Sequence, residues 1–136
     1  LANGERFHAV TGEGAFLNGE AIQPTDCEQL DEAIIGVAGV PPPNLNPRQY
    51  RSFGAAALDL CSVAAGRLDA YIDPLAHHGV WDYAAGLLIC QEAGAVVGEL
   101  QGRDLIHSDH AARRGPVAAA SPDLLAQLGV DPAIDR

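Results

Sequence analysis

The stretch DAYIDPLAHHGVWDYAAG (residues 69–86) predicts a strand, a loop and a helix in direct succession. We expect the apolar run Leu68–Ile72 to form a short strand, Pro74–Val80 a loop, and the run Asp82–Ala93, rich in alanine and leucine, a helix. Asp73 then closes the strand and Asp82 opens the helix. Because ligands of α/β folds bind outside the carboxyl ends of strands, both carboxylates are candidates for a binding site.

Strands and helices alternate along the rest of the chain. Near the amino end, the turn signal Asn18-Gly19 predicts a β-hairpin that is built from Glu5–Val10, Ala15–Leu17 and Glu20–Ile22. Further strands are predicted at Ala33–Ala38, Ala95–Val97 and Val117–Ala120. Helices are predicted from Gly54 to Ala65, with Ala57, Leu60, Cys61 and Ala64 on one face, and from the N-cap Ser121 to Gly129. This alternation indicates an α/β fold whose mixed, partly parallel sheet is covered by helices.

The composition restricts the classes of partner. The chain has 136 residues, 8 Lys and Arg against 18 Asp and Glu, and a formal net charge of −10. A chain this acidic repels nucleic acid and anionic lipid headgroups, so we expect neither nucleic acid nor membrane as a partner. Three cysteines without C-x-x-C spacing argue against a disulfide framework or a zinc cluster, and they predict a reducing, cytoplasmic location.

The residues alone leave two roles open for each candidate group. Asp82 is a preferred N-cap residue, but its carboxylate also suits a hard cation such as Mg²⁺. Trp81 suits a core or lid aromatic better than substrate stacking, and His77 and His78 suit a surface loop better than a metal site or a general base. The helix start GAAA (residues 54–57) either permits close packing or leaves backbone N–H groups open to an anion or hydroxyl.

Three segments, taken in order, carry a more specific pattern. They are GEGAFLNG (residues 12–19), RSFGAAALDLC continuing to VAAGRLDAY (residues 51–61 and 63–71), and WDYAAG with EAGA (residues 81–86 and 92–95). They resemble the motifs G-x-G-A-x-x-N-G, R-x-x-G-S-A-A-L-D-L-x-x-V-A-x-G-x-x-D-A-Y and W-D-x-A-A-G…E-A-G-G of the inositol monophosphatase family. That family comprises Mg²⁺-dependent, lithium-sensitive phosphatases. The resemblance runs from about Gly4 to Ser121 and implies the layered α/β sandwich of these phosphatases.

The resemblance also implies roles for single residues. Asp82 matches the aspartate that ligates a catalytic Mg²⁺ and meets a substrate hydroxyl. Gly54, Ala55 and Ala56 match the helix start whose backbone contacts the alcohol part of the substrate. Asp73 stands near the place of a glutamate that binds inositol hydroxyls, although the loop from there to Trp81 is longer in this chain. In the mechanism that the resemblance implies, one Mg²⁺ activates a water for in-line attack and another stabilises the leaving alkoxide.

The chain departs from the family pattern in ways that matter for activity. The first metal motif, D-P-(I/L)-D-G-T, and the Glu-Glu before it are absent. The serine that usually follows the motif glycine is Ala55, and the segment Pro41–Pro47 stands where relatives carry a helix. The resemblance therefore implies that residues 1–136 are the C-terminal half of the fold, inactive as this chain alone. The N-terminal half would then be a missing segment or a companion chain, and the complete protein a homodimer. A start without methionine fits a chain that begins inside a longer protein.

Two classes of function follow. The first is a Mg²⁺-dependent phosphomonoesterase that acts on inositol monophosphate or a related small polyol phosphate. Histidinol phosphate, fructose 1,6-bisphosphate and 3′-phosphoadenosine 5′-phosphate are the alternative substrates within the family. The second class is a non-catalytic domain that acts as an interaction module.

Overall fold

The computed structural model describes residues 3–133. Its strands are β1 (Phe7–Val10), β2 (Gly14–Leu17), β3 (Glu20–Ala21), β4 (Ile34–Val37), β5 (Gln49–Arg51), β6 (Ala70–Ile72), β7 (Val96–Glu99) and β8 (Pro116–Ala119). Its α-helices are α1 (Ala56–Ala64), α2 (Val80–Ala93) and α3 (Pro122–Gln127), and one 3₁₀ turn covers Leu30–Glu32. No helix within residues 3–133 has the length and apolar character needed to cross a membrane.

The first three strands form an antiparallel sheet in the order β1-β2-β3. Asn18 and Gly19 both have positive φ, at 50° and 82°, as a tight hairpin turn between right-twisted strands requires. The Asn18 side chain also accepts a hydrogen bond from the Arg6 amide at 2.8 Å. The predicted hairpin is confirmed.

The remaining strands form a mixed sheet in the order β5-β4-β6-β8-β7. Strand β4 is parallel to β5 and β6, and β8 is antiparallel to both of its neighbours, β6 and β7. The predicted α/β class with a mixed sheet is therefore confirmed. The sequence did not predict β5, because the polar segment Gln49–Arg51 lies at the sheet edge and carries no apolar run.

The helices pack on both faces of the five-stranded sheet. Helices α1 and α2 lie against each other, and α2 also contacts β1 and β2 of the smaller sheet. One apolar cluster joins these helices to Tyr71, and a second, around Ile35, lies on the other face of the sheet with α3. The order of layers is the three-stranded sheet, α1 with α2, the five-stranded sheet, and α3.

Two helix boundaries differ from the sequence prediction. Helix α1 begins at Ala56, because Gly54 has a φ of 79° and Ala55 is extended. Its buried face contains Ala56 and Val63 with Leu60, Cys61 and Ala64, whereas Ala57, predicted to be apolar-facing, is exposed. Helix α2 begins at Val80, two residues before the predicted start, and ends at Ala93 as predicted.

Candidate functional site

The candidate residues lie at one edge of the five-stranded sheet. Strands β4, β5 and β6 are parallel, so the segments that follow them emerge side by side. The segment after β5 leads into Gly54–Ala56 at the start of α1, and the one after β6 begins with Asp73 and leads through residues 74–79 into α2. Three apolar side chains, Val40, Phe53 and Leu75, are exposed on these segments.

Asp82 lies in the first turn of α2 and both caps the helix and keeps an oxygen free. Its Oδ2 accepts a hydrogen bond from the Gly79 amide at 3.0 Å, and its own amide donates to the Gly79 carbonyl at 3.0 Å. Within residues 3–133, its Oδ1 makes no hydrogen bond. The N-cap residue is Gly79 and not Asp82 as predicted, because α2 begins at Val80 and Asp82 caps it from the third helical position. Capping and binding are nevertheless compatible in Asp82, because different oxygens of its carboxylate are available for them.

The start of α1 offers open backbone amides. Ala55 is the N-cap residue, and since alanine has no side-chain oxygen, α1 has no side-chain cap. The first amides of a helix lack intrahelical partners, so those at this end remain available to an oxygen of a ligand. Gly54 is exposed and Ala55 half-buried, whereas Ala56 is buried.

The donor groups in the structure do not make up a magnesium site. Among the described residues, no group of three His, Cys, Asp or Glu side chains is placed to hold a metal ion. Mg²⁺ requires near-octahedral oxygen coordination, usually with one or two protein carboxylates and the phosphate of a substrate. Asp82 Oδ1 fits the role of one such ligand, and the other donors of a magnesium site would have to come from outside the described residues.

Asp73 is buried and holds the loop that follows it. Its side chain is 1% exposed, and its carboxylate accepts hydrogen bonds from the Leu75 amide at 3.2 Å and the His77 amide at 2.8 Å. Burial by itself would raise the pKa of Asp73, but the hydrogen bonds from His78 and the His77 amide outweigh it, and this pKa is lowered. The prediction that Asp73 binds substrate hydroxyls stays a prediction. In this structure the carboxylate stabilises the loop through hydrogen bonds.

His78 is the third partner of that carboxylate. Its Nδ1 lies 2.5 Å from Asp73 Oδ2, and its side chain is 20% exposed. Its backbone forms a bridge with Arg114, through hydrogen bonds of 3.2 and 2.9 Å in the two directions. The hydrogen bond to Asp73 raises the pKa of His78, and Asp82 and Asp59 raise it further. The sequence placed His78 on a surface loop with His77; His77 is indeed exposed, whereas His78 is fixed.

Asp59 and Tyr71 are two buried residues with polar groups that the sequence analysis did not single out. Both side chains lie on Gly36: a Cβ there would be 3.6 Å from the Asp59 carboxyl carbon and 3.4 Å from the Tyr71 ring. Asp59 Oδ1 and the Tyr71 hydroxyl are buried without a hydrogen-bond partner in the described part of the chain. Burial raises the pKa of Asp59 to about 6, although His78 opposes this.

Trp81 lies at the outer wall of the site. The residue is 53% exposed, so of the two roles that the sequence favoured, core or lid aromatic, the core role is excluded. One side of the ring covers Gly79, where a Cβ would come within 2.4 Å of it, and His110 stacks on the ring at 4.6 Å between centroids. The Arg113 guanidinium lies 5.2 Å from the ring centroid. Trp81 therefore links the site to the segment around residues 110–114.

Comparison with known proteins agrees with this arrangement. The sequence model of the inositol monophosphatase family matches residues 2–130. The Bacillus subtilis inositol-1-monophosphatase is 33% identical over 115 residues, which cover 75% of this chain and 43% of that protein. A Pyrococcus horikoshii protein, described as having similarities to inositol-1-monophosphatase, has a TM-score of 0.81 at 28% identity, over 99% of this chain and 54% of its own.

A second solved structure, described as an inositol monophosphatase–fructose 1,6-bisphosphatase, has a TM-score of 0.80 at 29% identity. The match covers 93% of this chain and 52% of that one. The chain thus spans about half the length of the relatives it matches.

Proposed function

The chain belongs to the inositol monophosphatase family, and we propose that it forms the substrate-alcohol side of a phosphomonoesterase site in which Asp82 is one ligand of Mg²⁺. The family is generally metal dependent, and its members include phosphatases of several substrates. The observation that carries the proposal is the free Oδ1 of Asp82. It lies at the edge of the sheet from which the uncapped start of α1 also emerges.

Each group of this chain then has a definite part in binding. Asp82 Oδ1 would bind the metal and stand near a substrate hydroxyl, and the open amides around Gly54, Ala55 and Ala56 would donate to oxygens of the alcohol part. Asp73 would contribute to binding of the same alcohol part, by fixing the conformation of the loop that follows it. Hydrolysis of a phosphate ester needs an attacking water in line with the leaving oxygen, together with compensation of the phosphate charge. The described residues would bind and orient the substrate, and they would supply one acidic ligand to the metal ion.

We place the remaining ligands in a second segment. The D-P-x-D-G-T motif is absent from the 136 residues, and the relatives are about twice as long as the matched region. An N-terminal half, covalently joined or supplied as a companion chain, would complete the metal site, and the complete protein would be a cytoplasmic homodimer. The substrate would be inositol monophosphate or a related small polyol phosphate. The three cysteines, Cys27, Cys61 and Cys90, are free, as in proteins of a reducing compartment.

The test is Mg²⁺-dependent release of phosphate from inositol 1-phosphate by the chain reconstituted with a segment that bears the missing motif. Asp82→Asn should abolish release, because the amide removes the anionic ligand while it still accepts the capping hydrogen bond. Asp123→Asn is the matched control, since Asp123 also lies in the first turn of a helix, α3, remote from this edge. Phosphate release that Asp82→Asn leaves unchanged would refute the assignment.

The missing ligands also favour the second candidate, a non-catalytic interaction module, for the chain by itself. In that case the reconstituted protein would bind its partner segment and release no phosphate from any ester. Inositol 1-phosphate, histidinol phosphate, fructose 1,6-bisphosphate and 3′-phosphoadenosine 5′-phosphate, assayed side by side, separate the two candidates and rank the substrates.

A further inference from the structure

The Asp73 carboxylate has no access to a substrate in this loop conformation. It is 1% exposed, and the two amides and the imidazole described above occupy it. Ala76 lies between them with a φ of 53°, a left-handed conformation that is costly for a non-glycine residue. The carboxylate stabilises that conformation, because its hydrogen bonds hold the chain on both sides of Ala76. A substrate hydroxyl could reach Asp73 only if these contacts were broken.

His78 is the group that this loop presents instead. Because Nδ1 contacts a carboxylate, it carries the proton of that hydrogen bond, and Nε2 is left as the nitrogen available to a ligand. The residue is held at its side chain by Asp73 and at its backbone by Arg114. An imidazole fixed at two points and still 20% exposed is well placed to contact a bound molecule.

The surroundings of His78 place it at the candidate site. It lies two residues before α2, whose first turn carries Asp82, and the charges of Asp82 and of Asp59 in α1 both raise its pKa. The titratable groups that face it are therefore Asp73, Asp82 and Asp59. Three carboxylates around one imidazole favour its protonated form, in which Nε2 is an N–H donor with a positive charge.

A charged donor selects a different ligand from the one a carboxylate selects. A carboxylate accepts hydrogen bonds from hydroxyl groups and attracts an ammonium group, whereas an imidazolium donates to an anionic oxygen and repels an ammonium group. The segment that pairs with His78 also carries an arginine, Arg113, whose guanidinium lies 5.2 Å from the centroid of the Trp81 ring.

We propose that His78, oriented by Asp73, contacts the alcohol part of the substrate through Nε2 and selects phosphate esters that carry a second anionic group. His78 is the specificity-determining residue, and Asp73 is a positioning residue that acts through it. This inference rests on the proposed function, because it assumes that a phosphate ester binds at this edge. Among the small polyol phosphates of the proposed function, it favours a bisphosphate over a monophosphate of the same sugar, and so fructose 1,6-bisphosphate over inositol monophosphate. It disfavours an ester that bears an ammonium group, such as histidinol phosphate.

The test uses the full 136-residue chain labelled with ¹⁵N-histidine, in the presence of Mg²⁺. The ring nitrogen resonances of His78 should show a protonated Nδ1 in the free protein. Fructose 1,6-bisphosphate should then shift the Nε2 resonance at about one tenth of the concentration that fructose 6-phosphate requires, as one charge-assisted hydrogen bond predicts. Histidinol phosphate should shift it least.

Three variants separate a specific role from a structural one. His78→Gln should remove the preference for the bisphosphate while the backbone amide spectrum stays that of the folded chain. Asp73→Asn should weaken the preference and change the Nδ1 resonance of His78. His77→Gln is the matched control, since His77 is the exposed neighbour and should leave the preference unchanged.

Several outcomes would overturn the inference. Equal affinity for the two fructose phosphates, a preference that survives His78→Gln, or the absence of any shift at Nε2 with these esters would each do so. The proposed function fails separately, when the reconstituted protein releases phosphate independently of Asp82. If release depends on Asp82 but His78→Gln does not alter the ranking of substrates, only the inference about His78 is wrong.

Discussion

Two turns of this molecule use a buried carboxylate in the same way and differ in the cation that accompanies it. The Asp73 turn follows β6 and the Glu99 turn follows β7, and these strands flank β8 on its two sides. Gly115 lies between the turns: its amide donates to Glu99 Oε1 at 3.0 Å, and a Cβ on it would lie 2.9 Å from the Asp73 carbonyl oxygen. Glycine is required there by that close approach.

Glu99 is paired with an arginine. The Glu99 side chain is 1% exposed. The carboxylate accepts hydrogen bonds from the Gln101, Arg103 and Gly115 amides and two from the Arg103 guanidinium. Burial would raise its pKa, but these donors lower the pKa to about 2. Arginine stays charged at every accessible pH, so this turn is permanently ionic. The histidine of the other turn can lose its proton and has a second nitrogen to offer, which makes one turn structural and the other suited to binding.

The largest expected effect is that of Glu99→Gln. The variant removes a buried charge that has five donors, and we expect the free energy of unfolding to fall by about 3 kcal/mol. Arg103→Gln should cost about 1 kcal/mol, because the arginine is partly in solvent and the amide donors remain. Urea denaturation measures both. If Glu99→Gln costs less than Asp73→Asn, the turn paired with arginine does not contribute more to stability than the turn paired with histidine.

Asp73→Asn should have the second largest effect. The Leu75 and His77 amides donate to different oxygens of Asp73, Oδ1 and Oδ2, so the one carbonyl oxygen of asparagine can replace only one of these acceptors. Asparagine also forms no ion pair with a protonated His78. We expect a loss of about 2 kcal/mol in urea denaturation and faster hydrogen exchange of the His77 amide. An unchanged exchange rate at His77 would show that the loop is held without the carboxylate.

A third prediction uses pH to sharpen the contrast between histidine and arginine. His78 has a raised pKa, so its contribution is complete below the ordinary value of 6.5 and is lost as the pH rises through the raised value. Asp73 has a lowered pKa, so its contribution is present above 3.8 and is lost as the pH falls through the lowered value. The coupling energy of an Asp73→Asn, His78→Gln double-mutant cycle should therefore be greatest between these values.

The corresponding cycle for Glu99→Gln and Arg103→Gln should be constant above pH 4.5 and decline only as the pH falls toward about 2. The difference between the two cycles should amount to about 1 kcal/mol near pH 9, measured by urea denaturation. The expectation includes Asp59 and Asp82, which also face His78 and raise its pKa. Two cycles with the same pH profile would show that the cation makes no difference.

The smallest effect is expected at a third carboxylate, Glu92, which resembles the two turns without their burial. This residue of α2 accepts hydrogen bonds from the Gly12 and Gly14 amides at 2.9 and 3.0 Å, and no cation accompanies it in these contacts. Glu92→Gln should accelerate hydrogen exchange at Gly12 and Gly14 and leave the unfolding midpoint close to that of the parent chain. A large shift of the midpoint would show that burial is not what separates the three carboxylates.

Much of the fold was predictable because its signals are local. Asn18-Gly19 specifies the hairpin turn, and the apolar runs around Ile35 and Val117 specify central strands. Strand β5 was not predictable, because a polar edge strand such as Gln49–Arg51 is defined by its neighbour rather than by its own residues. The start of α1 was predicted two residues early, since composition does not reveal the extended backbone of Ala55.

The positions of some candidate site residues were predictable from local signals in the same way. Asp82 and the start of α1 stand in recognisable motifs, and the structure places them at the expected helix ends. The link from Asp73 to His78 spans five residues and depends on the left-handed backbone of Ala76, which no helix or strand periodicity indicates. The burial of Asp59 was not predictable for a different reason. It follows from the packing of α1 against Gly36, which is a contact between distant parts of the chain.

The place of β8 in the sheet has a consequence for the order in which the chain folds. This strand is made after β6 and β7 and yet inserts between them. A ribosome-bound chain that has emerged only as far as residue 115 would therefore hold β6 and β7 with their facing edges unpaired. Unpaired edges invite association with other chains, so we expect such association to compete with folding mainly in the interval before residues 116–119 emerge.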